Sequence, residues 1–132
     1  MRRSEQRRAA VFAVYQHEVT GGPVEELIGE GASEFTRALA AAACGRMDEL
    51  DAVIGRHAQG WSLDRIAPLE KAIMRVAILE ITDPNAIPGE APIPPEGAID
   101  EAVETAKVFC GSDAPGFVNG ILGAVIRESR GQ

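Results

Sequence analysis

The chain has 132 residues, with 20 acidic against 13 basic side chains and a formal net charge of −7. That length gives room for one domain with one core, stable without staples, and the acidic balance excludes a uniformly basic nucleic-acid binder. Its two cysteines, Cys44 and Cys110, belong to no CxxC pair and no His/Cys cluster of zinc-like spacing, so buried reduced thiols are expected rather than a disulfide or a metal site.

The first helix is expected from about Ser4 to Val19, with Thr20-Gly21-Gly22-Pro23 ending it. Its start is where the positive charge collects. Residues 1–8 carry Arg2, Arg3, Arg7 and Arg8 against Glu5 alone, a balance of +3, whereas residues 9–132 hold nine basic and nineteen acidic side chains, a balance of −10. Arg3 and Arg7, four apart, project from one helix face and could fork onto successive phosphates, the alternative being a solvated terminus. Tyr15 reads as core with its hydroxyl near the surface. The apolar run AAVFAVY is too short and lacks the cleavage site of a signal peptide, and no segment is long enough to span a membrane, so a cytoplasmic location is expected.

Pro23 opens a short helix through Ile28, and Gly29, Gly31 and Ser33 break the chain before one long helix starting near Glu34. That helix is expected to carry Phe35, Leu39, Ala43, Met47, Leu50 and Ile54 on one side and to end around Gly60. Trp61 follows as a core plug, with base stacking the less favoured reading. Ser62 precedes a turn or short helix through Ile66. Pro68 then begins a helix whose Leu69, Ile73, Val76, Ala77 and Ile81 face inward, while Arg65, Lys71 and Arg75 point elsewhere.

Residues 84–97 hold five of the eight prolines and are expected to form a stiff surface loop, neither helix nor central strand. The stretch 96–128 reads as two helical segments joined by a polar turn carrying Phe117, Val118, Asn119 and Gly120. Ile99, Ala102, Val103, Ala106 and Phe109 make the first stripe, opposite Asp100, Glu101, Glu104 and Lys107. Gly111 is expected to stop that helix in the left-handed conformation, and Ser112 or Asp113 to cap the next, whose stripe is Phe117, Ile121, Leu122, Val125 and Ile126. Asn119 has no packing reason for its place between Val118 and Gly120, although it could bond a nearby backbone group.

The paired segments AIDEAVETAK and FVNGIL resemble the signature of the NusB family of RNA-binding antitermination factors. The resemblance extends to RRAAVFAVYQ near the N-terminus and to HAQGWSLDRIAPLEKAIMRVAILEI from His57 to Ile81, whereas residues 17–34 and the Pro-rich stretch match loosely. It implies an all-α, NusB-like bundle of about six or seven helices in two packed groups, acting as a single domain over residues 1–132. It further implies a factor that pairs with NusE, a small-subunit ribosomal protein, and binds the boxA element of nascent ribosomal RNA leaders, supporting the RNA polymerase antitermination complex. On that reading Arg2, Arg3, Arg7 and Arg8 grip the RNA backbone, Phe117 stacks on an unpaired base and Asn119 meets a base edge or holds the turn. For Phe117 the competing role is a core anchor. The resemblance points to Glu80, Asp100, Glu101 and Asp113 for the basic protein partner. Glu5 falls where relatives commonly carry a basic residue, so low affinity for RNA alone is expected.

Nothing in the chain reads as catalytic. His17 and His57 are far apart in sequence, and there is no GxSxG, P-loop or glycine-rich loop after a predicted strand. No cofactor or metal is expected, and either a monomer or a homodimer is compatible with the resemblance. Two other readings share these residues. One is a helical protein-interaction module without RNA binding; the other is a stand-alone relative of the NusB-like domain of RNA cytosine methyltransferases, without methyl transfer of its own.

Overall fold

The computed structural model describes residues 2–87, 89 and 91–131 and contains seven α-helices and no strand among them. These are α1 (Arg3–Thr20), α2 (Val24–Leu27), α3 (Glu34–Gly45), α4 (Met47–His57), α5 (Pro68–Thr82), α6 (Pro95–Phe109) and α7 (Ala114–Ser129), with a 3-10 turn at Leu63–Arg65. The all-α class and the helix number implied by the resemblance hold.

Helices α1, α2 and α3 pack together as one group, and α4, α6 and α7 gather on the other side of α5. Helix α5 touches α1, α3, α4, α6 and α7 and is therefore the post of the bundle. Its sequence explains this: KAIMRVAIL is buried continuously from Lys71 to Leu79, so no face of the helix is left for solvent. Leu39, Ile54, Ile73, Ile78, Leu79 and Leu122 are among the fully buried large side chains of the bundle, each contributing about 2 kcal/mol through removal from water.

That burial corrects one expectation. Lys71 and Arg75 do not point away from the core; both are buried, and Arg75 is 2% exposed. Arg75 Nε donates to Asp51 Oδ1 at 2.6 Å, its Nη2 donates to Asp51 Oδ2 at 3.0 Å, and its Nη1 donates to Glu18, which also pairs with Lys71 Nζ at 3.0 Å. The network ties α5 to α1 and α4. Burial opposes ionisation of Glu18, but Arg75 and Lys71 override it and hold its carboxyl below the ordinary range. Periodicity alone could not find this, because a cation is placed on the outside of a helix unless its carboxylate partners, distant in sequence, are known.

The expected long helix is two. Arg46 leaves helical geometry at φ −122°, ψ 23°, after Gly45, and its guanidinium reaches Asp83 Oδ2 at 2.7 Å across the bundle. The stripe expected through Met47 runs on across the break, which is why spacing concealed it. Ser33 caps α3 as an N-cap serine should, its Oγ accepting from Thr36 N at 3.1 Å. Gly21 ends α1 with φ 74°, the left-handed cap that its sequence position suggested.

Gly111 does not play that part. Helix α6 stops at Phe109, Cys110 is extended at φ −118°, ψ 175°, and Gly111 is absent from the positive-φ glycines. The joining turn is residues 110–113, so Phe117, Val118, Asn119 and Gly120 lie inside α7 rather than in the turn. Neither Ser112 nor Asp113 supplies a side-chain cap to α7. At the other end of α6 the helix starts at Pro95, so residues 95–97 leave the loop; proline at the first helical position loses no hydrogen bond. Residues 88 and 90 of the expected 84–97 loop lie outside the described residues. Cys44 and Cys110 are half-buried free thiols.

Candidate nucleic-acid interface

The first turns of α1 are seated on α3 by a set of polar contacts. Ser33 Oγ donates to Gln6 Oε1 at 3.0 Å, Thr36 Oγ1 donates to the Gln6 carbonyl at 3.0 Å, and Arg3 Nη1 donates to Gln6 Oε1 at 2.7 Å. The Phe35 ring lies beneath, with the Arg3 and Arg7 guanidinium carbons 4.1 and 5.2 Å from its centroid. The sequence expectation that Arg3 and Arg7 share a face is met, and Phe35 is the surface on which they share it.

The four arginines differ in availability. Arg2 and Arg3 are exposed, Arg2 pairing with Glu5 at 3.0 Å and holding that carboxyl below its ordinary range through the hydrogen bond. Arg7 is turned inward: its Nε donates to Glu80 Oε1 and Oε2 at 3.0 and 3.1 Å. Arg8 lies with its guanidinium carbon 5.9 Å from the Phe109 ring, and its buried Nε has no hydrogen-bond partner among the described residues.

Phe109, expected in the core stripe of α6, is 45% exposed. The buried residues of α6 are instead Ala98, Ala102, Thr105 and Ala106, a stripe rotated toward the small side chains that let α6 approach α5 and α7 closely. Phe109 packs edge-on against Phe12, with centroids 4.9 Å apart, on the outside of the bundle.

In α7 the signature divides by helix face. Val118 is fully buried, Phe117 is half-buried against the core, and Asn119 and Gly120 are exposed. Phe117 therefore has both an anchoring edge and an open one. Its open side meets Trp61 at a centroid distance of 6.0 Å, with the planes 62° apart. Trp61 is 53% exposed, so it does not plug the core; Ile66 and Ala58, either side of it in sequence, are buried in that region instead. The only hint of this in the sequence is the glycine before it, Gly60, whose φ of 78° turns the chain outward after α4.

Of the acidic residues assigned to a protein partner, Asp100 and Asp113 are exposed and Glu101 and Glu80 are half-buried. Glu80, Glu101 and Arg7 border one shallow depression between α1, α5 and α6. The structure thus brings Arg7 and Glu80 into direct contact, while Asp113 sits at the opposite end of α6, beside Phe117. No helix among the described residues is long and apolar enough to cross a membrane, and no three His, Cys, Asp or Glu among them gather to hold a metal ion.

The NusB family model matches residues 4–127. The chain is similar to the transcription antitermination protein NusB of Halalkalibacterium halodurans, with 37% identity over 128 residues, covering 92% of this chain and 91% of that protein. Its fold is similar to that of T. maritima NusB, with a TM-score of 0.83, 28% identity, and coverage of 97% and 92%. A likeness of fold alone joins it to the crystal structure of antitermination factors NusB and NusE in complex with double-stranded RNA, with a TM-score of 0.77, 23% identity, and coverage of 97% and 99%.

Proposed function

This chain belongs to the NusB family, and from that premise we propose that it is a transcription antitermination factor that binds boxA RNA of nascent ribosomal RNA leaders together with a NusE-type ribosomal protein. It acts in the cytoplasm, as a single domain, by binding rather than by chemistry, and supports processive transcription by RNA polymerase.

The observation that carries this reading is the arginine cluster of α1 mounted on Phe35 and Phe109, in a chain whose remaining charge is strongly negative. Arg2, Arg3 and Arg8 meet phosphates, which fixes the position of the strand without reading its sequence. Arg7, locked to Glu80, sets the helix that carries them. Phe117, through its open edge, stacks on an unpaired base, and Asn119, exposed on another face of α7, meets a base edge. Asp100, Glu101 and Asp113, with Glu80, provide the acidic ground for the basic partner.

Fluorescence anisotropy of labelled boxA RNA and a scrambled control, with and without the NusE-type protein, tests the reading. The partner should sharpen the preference for boxA, and the logarithm of affinity should fall with the logarithm of salt concentration with a slope of about −2, as expected for about three phosphate contacts on a single strand. Binding of neither RNA under any condition, with the partner still bound, would leave a protein-interaction module.

A further inference from the structure

Trp61 is the chain's only tryptophan, and it stands half out of the fold with the Phe117 ring against it. The two rings border an open cleft of about 530 Å³, edged by Arg65 and floored by Ile66, where the N-terminal ends of α5 and α7 come together at Ala67 and Ala114. An indole left exposed contributes little to folding, whereas its face is a broad platform for another planar ring.

The C-terminal end of α6 lies between the cleft and the arginine cluster. Phe109 lies two residues before Gly111, which lines the cleft, and consecutive Cα atoms are 3.8 Å apart, so the two are within about 8 Å. On the Phe109 ring lies the Arg8 guanidinium. The order along this edge is therefore arginine and aromatic at Arg8 and Phe109, then aromatic pair and arginine at Phe117, Trp61 and Arg65. Stacking faces flanked by cations suit a single nucleic-acid strand, whose bases need ring partners and whose phosphates need positive charge. An apolar peptide would not call for the arginines. Glu70 and Asp113 also border the cleft, so its walls are unsuited to phosphate and leave the ring faces as the contact surface, with Arg65 at the rim for the backbone.

We infer that Trp61, with Phe117 and Arg65, forms a second holding point for the RNA strand, a base-stacking cleft reached from the arginines of α1 across the end of α6. This rests on the RNA-binding reading above and adds to it a stacking residue and a path.

The test uses the full chain with its NusE-type partner and a labelled single-stranded boxA RNA, following label anisotropy and Trp61 emission together. Binding of RNA should quench the emission component that is absent from a W61F variant. W61A should weaken RNA binding about five- to one-hundred-fold, the range for loss of one base stack, with unchanged helix content by circular dichroism. W61F should stay within a few-fold of the parent, and Arg65→Glu should weaken RNA but not partner binding. RNA bound with Trp61 emission unchanged, or W61A binding as tightly as the parent, would overturn the cleft while leaving the RNA reading intact. Quenching by the partner protein in the absence of RNA, with no further change when RNA is added, would assign the cleft to the partner and overturn the inference. No RNA binding by the parent complex would overturn both readings.

Discussion

Arg7 Nε and Glu80 Oε1 are 3.0 Å apart with their side chains only 12% and 11% exposed, so a residue from the arginine cluster and one from the acidic partner set neutralise each other inside the bundle. Reversing either charge leaves two like charges facing each other in a site with little water. Arg7→Glu and Glu80→Lys should each destabilise the fold by about 3 kcal/mol, measured by urea unfolding. The swapped pair Arg7→Glu with Glu80→Lys should recover about 1–3 kcal/mol of the summed loss; strict additivity would show the two groups uncoupled. A fall in partner affinity in Glu80→Lys is therefore interpretable only beside its unfolding curve.

The Arg75 network should be the most costly polar feature to break. Arg75→Met leaves Glu18 and Asp51 without their shared cation and should cost about 3–5 kcal/mol in chemical denaturation. The pH dependence has a fixed sign. The folded-state value of Glu18 lies below its ordinary 4.5, so its contribution is fully present above about pH 4.5 and is lost as pH falls through the depressed value. The stability gap between the parent and Glu18→Gln should be widest near neutrality and narrow on acidification below pH 4.5. A gap independent of pH would sink this account.

Two glycines make a paired test of backbone geometry. At Gly21, φ is 74° and a Cβ would meet nothing, so Gly21→Ala should cost about 1 kcal/mol from the left-handed conformation alone. Gly111 has equally open space without a positive φ, so Gly111→Ala should lie within about 0.5 kcal/mol of the parent. Thermal unfolding of both variants checks the contrast.

Burial pushes the Cys44 thiol up to about 11. At pH 8 about one molecule in a thousand carries the thiolate, so alkylation of folded protein by iodoacetamide, followed by mass spectrometry, should leave Cys44 essentially unmodified and accelerate toward pH 11. Rapid labelling at pH 8 would place Cys44 in a more open setting.

Much of the fold was legible because apolar spacing, Pro23, Pro68 and Gly21 are local signals, and the helices they imply are present. The failures share a cause. The break at Arg46 is masked by an apolar stripe that runs on across it, and the burial of Arg75 depends on Glu18 and Asp51, so neither can be read from spacing within one helix. The site was read in part for the same reason. The arginines of α1 were visible as a charge cluster, but Glu80 taking Arg7, and Phe109 and Trp61 standing outward, are decided by which face of each helix its neighbours leave free.

Because α5 is enclosed by its neighbours from Lys71 to Leu79, its amide protons can reach water only when the whole bundle opens. The first turn of α1 and the 110–113 turn lie at the edges, where local opening should suffice for exchange. Deuterium uptake should therefore divide the molecule into a slow post and a fast rim, and the surfaces assigned to RNA lie on the rim, where small adjustments to a strand do not disturb the interior clock.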